Sequence, residues 1–221
     1  MIKLQKKFKV VILDFTKTLV MFDANWGQLR KINAEIFAKT GIKIDYQSLR
    51  PVIEQTASQL AYLKNLNYSQ EKILQIEKEL IKAQEQFEEN SIDSISLYSD
   101  AQTFLKSAAQ NNLQMAILTN NLSSTAKKAF SKLNTDFNGL IIGRENVKYP
   151  KPNPEGILKL LNQLKVSAGN CIFVGDSDFD IDVAKNVGCF SIFIKRSPEM
   201  KLSYTKADFI ITSLEELVFN Y

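Results

Sequence analysis

Histidine is absent from the 221 residues. That excludes histidine-based catalytic triads, HExxH zinc sites and phosphohistidine chemistry, and leaves acid–base work to Asp, Glu, Lys, Tyr or Cys. Cysteine is almost absent too. Cys171 and Cys189 make neither a disulfide framework nor a zinc site, and they read as small buried hydrophobes. No apolar run approaches the roughly 18 residues that a membrane span needs. The opening MIKLQKKFKVVILDF is cut by Asp14 and has no small-residue cleavage site, so it reads as the approach to a strand rather than a signal peptide. A cytoplasmic location is therefore expected. There is also no strong basic surplus: 28 basic and 24 acidic residues leave +4, spread along the chain. The Lys3–Lys9 cluster reads as a solvated entry to the first strand, so neither nucleic acid nor a membrane is expected as partner. No heptad or long edge signal compels a dimer, and a monomer or weak dimer is expected.

What is present is an alternation of strands and helices. Lys9–Phe15 (KVVILDF) is a short continuous apolar run, as expected of a strand buried on both faces of a parallel sheet. From Asn25 to Asn90 strand signals nearly vanish. Asn25 can cap a helix through Lys39, with Leu29, Ile32 and Ile36 on one face and Gly41 as its stop. Pro51 opens a second helix toward Asn65. Ser69 caps a third, whose Ile73, Ile76, Leu80, Ala83 and Phe87 recur at helical spacing. After this block Ser99 caps a helix through Gln110, and strands follow at Gln114–Thr119, Gly139–Ile142, Cys171–Val174, Phe190–Ile194 and Asp208–Ile211. Helices are expected at Ser123–Leu133, Pro154–Leu164, up to Val187 with Gly188 as C-cap, and Leu214–Phe219. This order predicts an α/β fold, a doubly wound parallel sheet carrying an inserted all-helical subdomain. The expected core spans 1–20 and 94–221, and the helical subdomain spans 21–93.

In an open parallel sheet, ligands bind beyond the carboxyl ends of the strands. Asp14, Thr119 and Asp176 each close a buried strand there, and Asp178, Asp180 and Asp182 follow in VGDSDFDID. Carboxylates clustered at a helix entry repel unless a cation holds them, and oxygen-only ligands suit Mg²⁺. Asp178 and Asp182 read as helix-dipole charges. Lys151, stiffened between prolines in YPKPNPEG, presents a cation of the kind a phosphate-bearing substrate needs.

These residues resemble the haloacid dehalogenase superfamily of aspartyl-nucleophile phosphatases and phosphotransferases, in particular its phosphoglycolate phosphatase-like members. The family's four motifs stand in order: Asp14-Phe15-Thr16-Lys17-Thr18 after the first strand, AILT ending at Thr119 and followed by Asn120, Lys151 in KPNPEG, and Gly175-Asp176 with Asp180. The intervals of 105, 32 and 25 residues suit a helical cap inserted after the first motif. The resemblance implies a Rossmann-like core, Asp14 as nucleophile forming an aspartyl-phosphate, and Mg²⁺ held by Asp14, the Thr16 carbonyl and Asp176, with Asp180 nearby. It further implies that Lys151, Thr119 and the Asn120 backbone hold the phosphoryl group of a small phosphorylated substrate. A cap that closes over the substrate would make Phe22, Trp26, Arg30 and Tyr62 candidate contacts.

The chain departs from the family at two places. Thr16 replaces the second Asp, which protonates the leaving oxygen and later activates water; a threonine hydroxyl cannot do either near neutral pH. Lys17 stands where the family usually has Gly, which leaves the geometry of the turn after the nucleophile open. Four activities fit these residues. One is a phosphatase that is slow or restricted to good leaving groups such as acyl phosphates. Another is a non-catalytic pseudo-phosphatase binding a phosphorylated ligand or a protein. A third is a phosphonatase-type carbon–phosphorus hydrolase using Lys43 or Lys64 as a Schiff base. The last is a dehalogenase, against which the acidic cluster argues.

Overall fold

The structure, a computed structural model, describes residues 2–4, 8–41, 52–202 and 206–219. In chain order the elements are β1 (Ile2–Leu4), β2 (Val10–Leu13), β3 (Val20–Phe22), α1 (Trp26–Ala38), α2 (Val52–Asn65), α3 (Gln70–Asn90), β4 (Ile95–Leu97) and α4 (Ser99–Gln110). They continue with β5 (Gln114–Leu118), α5 (Ser123–Lys132), β6 (Leu140–Ile142), α6 (Glu155–Leu164), β7 (Cys171–Gly175), α7 (Asp178–Val187), β8 (Phe190–Ile194), β9 (Phe209–Ile211) and β10 (Leu217–Phe219).

Six strands form one parallel sheet in the order β6-β5-β2-β7-β8-β9. All four residues of β2 and all five of β7 are buried, because helices cover both faces of a parallel sheet. Leu13 pairs with Ile117 on one side and Val174 on the other, so β2 is central. The chain winds outward from β2 through β5 and β6, then returns to β7 on the opposite side. Between β2 and β7 the winding therefore reverses, and the connections that leave their carboxyl ends run in opposite directions, the place where such sheets bind ligands.

The chain divides into two compact units, Met1–Phe22 with Ser94–Tyr221, and Asp23–Asp93. The second is helical. Ile36, Phe37, Leu60, Leu63, Ile73, Ile76 and Leu80 from α1, α2 and α3 form its core, following the apolar spacing of each helix. Ser69 caps α3 by accepting from the Lys72 N–H at 3.3 Å. Asn25 makes no side-chain cap bond to α1, and Ser99 is the first residue of α4 rather than its cap; Tyr98, extended, stands before it. Pro51 and Lys43 lie outside the described residues.

The C-terminal helix expected over Leu214–Phe219 does not form. Ser213 caps a single 3-10 turn, Leu214–Glu216, and the chain then extends as β10, paired in parallel with β1. One turn offers too few backbone hydrogen bonds to outweigh pairing with a strand. The pairs β1–β10 and β3–β4 went unpredicted because three residues carry no readable period.

Candidate active site

Asp14 follows the last residue of β2, and its N–H donates to the Val174 carbonyl at 2.9 Å, which holds it in line with β7. Beyond it the chain turns sharply. Leu19 N and Val20 N donate to the Phe15 carbonyl, and Lys17 N donates to the Val20 carbonyl at 2.7 Å. Lys17 sits at φ +60° in the left-handed region. A side chain there costs about 1–2 kcal/mol relative to Gly, and the turn's hydrogen bonds hold it.

Lys151 arrives from the loop before α6. The Asn120 side chain grips its backbone twice, its Oδ1 accepting from Lys151 N at 3.0 Å and its Nδ2 donating to the Lys151 carbonyl at 3.3 Å. Thus Asn120, a candidate through its backbone, acts with its side chain as an anchor for the lysine loop. The Lys151 ammonium donates to Asp14 Oδ1 at 2.5 Å and to Asp180 Oδ1 at 2.6 Å, with all three side chains buried. The other Asp180 oxygen accepts from Asp176 N, Ser177 N and Ser177 Oγ, at 3.1, 3.0 and 2.6 Å. Gly175 makes this approach possible: a Cβ there would lie 2.2 Å from that of Asp180.

Burial raises the Asp14 pKa to about 6, against the opposing pull of Lys151. Burial likewise raises Asp176 well above the carboxylate range, helped by the charges of Asp14 and Asp180. Burial would lower Lys151, but the two carboxylates outweigh it and push its pKa up. Oxygen atoms of Asp14, Asp176 and Asp180 all lie within 4.8 Å of one another. Three carboxylates against the buried Lys151 ammonium and the charge of Lys17 leave negative charge under-compensated, and an all-oxygen set of this kind fits a divalent cation.

These shifts have a measurable sign. A raised Asp14 pKa means the folded state holds a proton more tightly than the unfolded chain. In EDTA, its share of stability is complete below about pH 4 and is lost as pH rises through about 6. Lys151→Met removes the one ammonium that faces both Asp14 and Asp180. The loss is expected to be about 3–5 kcal/mol at pH 8, shrinking toward pH 5 as Asp14, left without its ammonium, protonates. Thermal melts of both proteins across this pH range in EDTA check it; a pH-independent difference would contradict this electrostatic account.

Asn121 was missed by sequence reasoning. Its Oδ1 accepts from the Thr16 hydroxyl at 2.7 Å and from the Thr119 hydroxyl at 3.3 Å, while its own N–H donates to Thr119 Oγ1 at 3.1 Å. Its carbonyl is held in turn by Arg144 N at 2.8 Å. Asn121 thus joins the two candidate threonines, reaching Thr16 across 105 residues of chain. The only local signal was the paired Asn120-Asn121 after a strand end, and nothing in it says which way each amide points. The remaining candidates lie as follows. Phe22 is buried in β3, Trp26 packs on Phe87 at 5.2 Å within the helical unit, Arg30 lies on α1, and Tyr62 on α2 is exposed. Asp178 stands in the first turn of α7, where it complements the helix dipole.

Comparison with known proteins gives a consistent result. The sequence pattern of the haloacid dehalogenase-like hydrolases matches residues 11–194. A phosphoglycolate phosphatase of Photorhabdus laumondii is 23% identical over 221 residues, covering 98% of this chain and 93% of its own. Pyrophosphatase PpaX of Halalkalibacterium halodurans is 32% identical over 92 residues, 41% of this chain and 43% of its own. The chain spans about half the length of the first curated relatives it matches. Among solved structures, one from Bacteroides fragilis described as a haloacid dehalogenase-like hydrolase superimposes with a TM-score of 0.68 at 20% identity, covering 96% of this chain and 100% of its own. No helix of the described residues is long and apolar enough to cross a membrane.

Proposed function

The chain belongs to the haloacid dehalogenase-like hydrolase family, and from that premise we propose that it moves phosphoryl groups from small phosphorylated metabolites onto Asp14. The observation that carries this reading is the Asp14 carboxylate, buried and held between the Lys151 ammonium and an acidic cluster within 4.8 Å. A carboxylate so placed attacks phosphorus through one oxygen as the bond to the leaving oxygen breaks. Lys151, with the Thr119 hydroxyl and the Asn120 N–H, would hold the phosphoryl oxygens as charge redistributes. Asp14 and Asp176, with Asp180 beside them and the Thr16 carbonyl, would hold Mg²⁺, which when bound screens the nucleophile from the phosphoryl anion.

Thr16 sets the substrate class. Its hydroxyl proton points at Asn121 and is too weakly acidic to reach a leaving oxygen, so the departing group must leave as a stable anion. Acyl phosphates and pyrophosphate meet that demand, while sugar phosphates and other alkyl esters do not. The same substitution favours a second reading, a pseudo-phosphatase that binds a phosphorylated ligand without turnover. Phosphonatase chemistry has no comparable support: Lys64 is exposed at the end of α2.

The test is phosphate release, with and without Mg²⁺, from acetyl phosphate, pyrophosphate, p-nitrophenyl phosphate, phosphoglycolate, nucleotides and sugar phosphates. Mg²⁺-dependent turnover ranked by leaving-group acidity is expected. Silence across the panel, with Mg²⁺ and a phosphate mimic still raising Tm, would favour the binding protein.

A further inference from the structure

We propose that Arg196 is a positioning residue for the nucleophile turn, acting through the Thr18 carbonyl; this rests on the phosphoryl-transfer reading for its catalytic consequence. Arg196 lies two residues past β8, at the same end of the sheet as Asp14. Its Nη2 donates to the Thr18 carbonyl, and its Nη1 donates to Asp100 Oδ2 at 2.6 Å. The guanidinium carbon stands 4.1 Å over the centre of the Tyr98 ring. Asp100 Oδ2 also accepts from Leu214 N at 2.8 Å. The Arg196 and Asp100 side chains are about nine-tenths buried, at 8% and 12% exposure.

The arrangement joins both strands at which the chain leaves and re-enters the sheet-bearing unit. Thr18 precedes β3, Tyr98 and Asp100 follow β4, and Tyr98 N donates to the Leu19 carbonyl at 3.1 Å. The turn that carries Thr16 is therefore fixed at two ends: β2 holds Asp14, and Arg196 holds Thr18. Lys17 between them occupies a left-handed conformation that a lysine does not favour, and Arg196 adds an external hold to the turn's own hydrogen bonds. Only Arg can supply it. One planar fork sends two N–H groups in two directions and stacks flat on an aromatic ring, which an ammonium cannot do. Burial would raise the Asp100 pKa, yet the Arg196 hydrogen bond and the Leu214 N–H hold it below the usual carboxylate range.

A purely structural ion pair would contribute to stability and nothing else, and two variants separate the roles. Asp100→Asn keeps an oxygen for Arg196 and Leu214 N but deletes the charge. It is expected to lower Tm while leaving kcat for acetyl phosphate within about threefold. Arg196→Lys keeps the charge but cannot reach both partners. It is expected to lower kcat about 10–100-fold with KM changed far less, as the turn drifts from its working geometry. Amide exchange at Lys17, Leu19 and Val20 is the second readout, and it needs no turnover. Faster exchange at these three in Arg196→Lys, and not in Asp100→Asn, is expected.

Unchanged exchange in Arg196→Lys would overturn the proposal, as would faster exchange with kcat intact. If the wild type turns over nothing on the panel, the phosphoryl-transfer reading fails by itself. The exchange arm then decides alone whether Arg196 holds the turn.

Discussion

Asp14→Asn is expected to reduce Mg²⁺-dependent phosphate release by on the order of 10⁴-fold or more, because an amide cannot serve as the attacking oxygen anion. The substitution should not damage the fold. Asn matches Asp in shape, and Asp14 is buried at a cost that its pKa of about 6 records. Tm in EDTA is thus expected to hold or rise at pH 8, while Lys151 remains paired with Asp180 at 2.6 Å. The check is twofold. Rapid quenching with acetyl phosphate and mass analysis should find one phosphate on Asp14 in the wild type and none in the variant. Residual turnover in Asp14→Asn above about one per cent of wild type would sink the covalent route, since other single catalytic deletions of this kind cost far more.

Thr16→Asp should act in the opposite direction. Supplying a carboxyl group able to protonate a leaving oxygen is worth about 10²–10⁴ in rate. The gain should be concentrated in sugar phosphates and phosphoglycolate, whose alkoxide leaving groups need a proton. In formation of the aspartyl-phosphate it should be small for acetyl phosphate and pyrophosphate, whose leaving groups do not, while any gain from water activation in the later hydrolysis is shared by all substrates. Asn121, which accepts from Thr16 at 2.7 Å, can present its amide N–H groups to the new carboxylate after rotating its side chain. A fourth carboxylate beside Asp14, Asp176 and Asp180 also adds repulsion, so Tm of the variant should fall in EDTA and recover with Mg²⁺. Equal acceleration of all substrates, or none, would show that proton transfer to the leaving group is not what Thr16 withholds.

The features legible in the sequence share a physical basis, which is that their signal is local. Continuous apolar runs marked β2 and β7 because a sheet covered on both faces has no polar side to show. Helical spacing marked α1 and α3, and Gly188 at φ +83° ended α7 where its type said it would. Asp14, Thr119 and Asp176 could be read as one group because parallel strands bring their carboxyl ends to one edge. Lys151 could be placed near them only through the order of the four motifs.

Other features carried no local mark. Thr16 and Asn121 are 105 residues apart, and Arg196 and Asp100 are 96 apart. Neither pair has a spacing that a helix or hairpin imposes, so only the packed sheet reveals them. The C-terminal segment failed for a related reason: its composition suits a helix, but β1, at the other end of the chain, offers it a pairing partner. The sequence by itself determined the class of fold, the inserted helical block and the strand-end grouping of Asp14, Thr119 and Asp176, because each follows from residue type and short-range period. Only the tertiary structure decided which way the Thr16 hydroxyl points, what grips the Lys151 loop and what holds the turn at Thr18. Those depend on groups from separate elements meeting in space, where proximity bears no relation to distance along the chain.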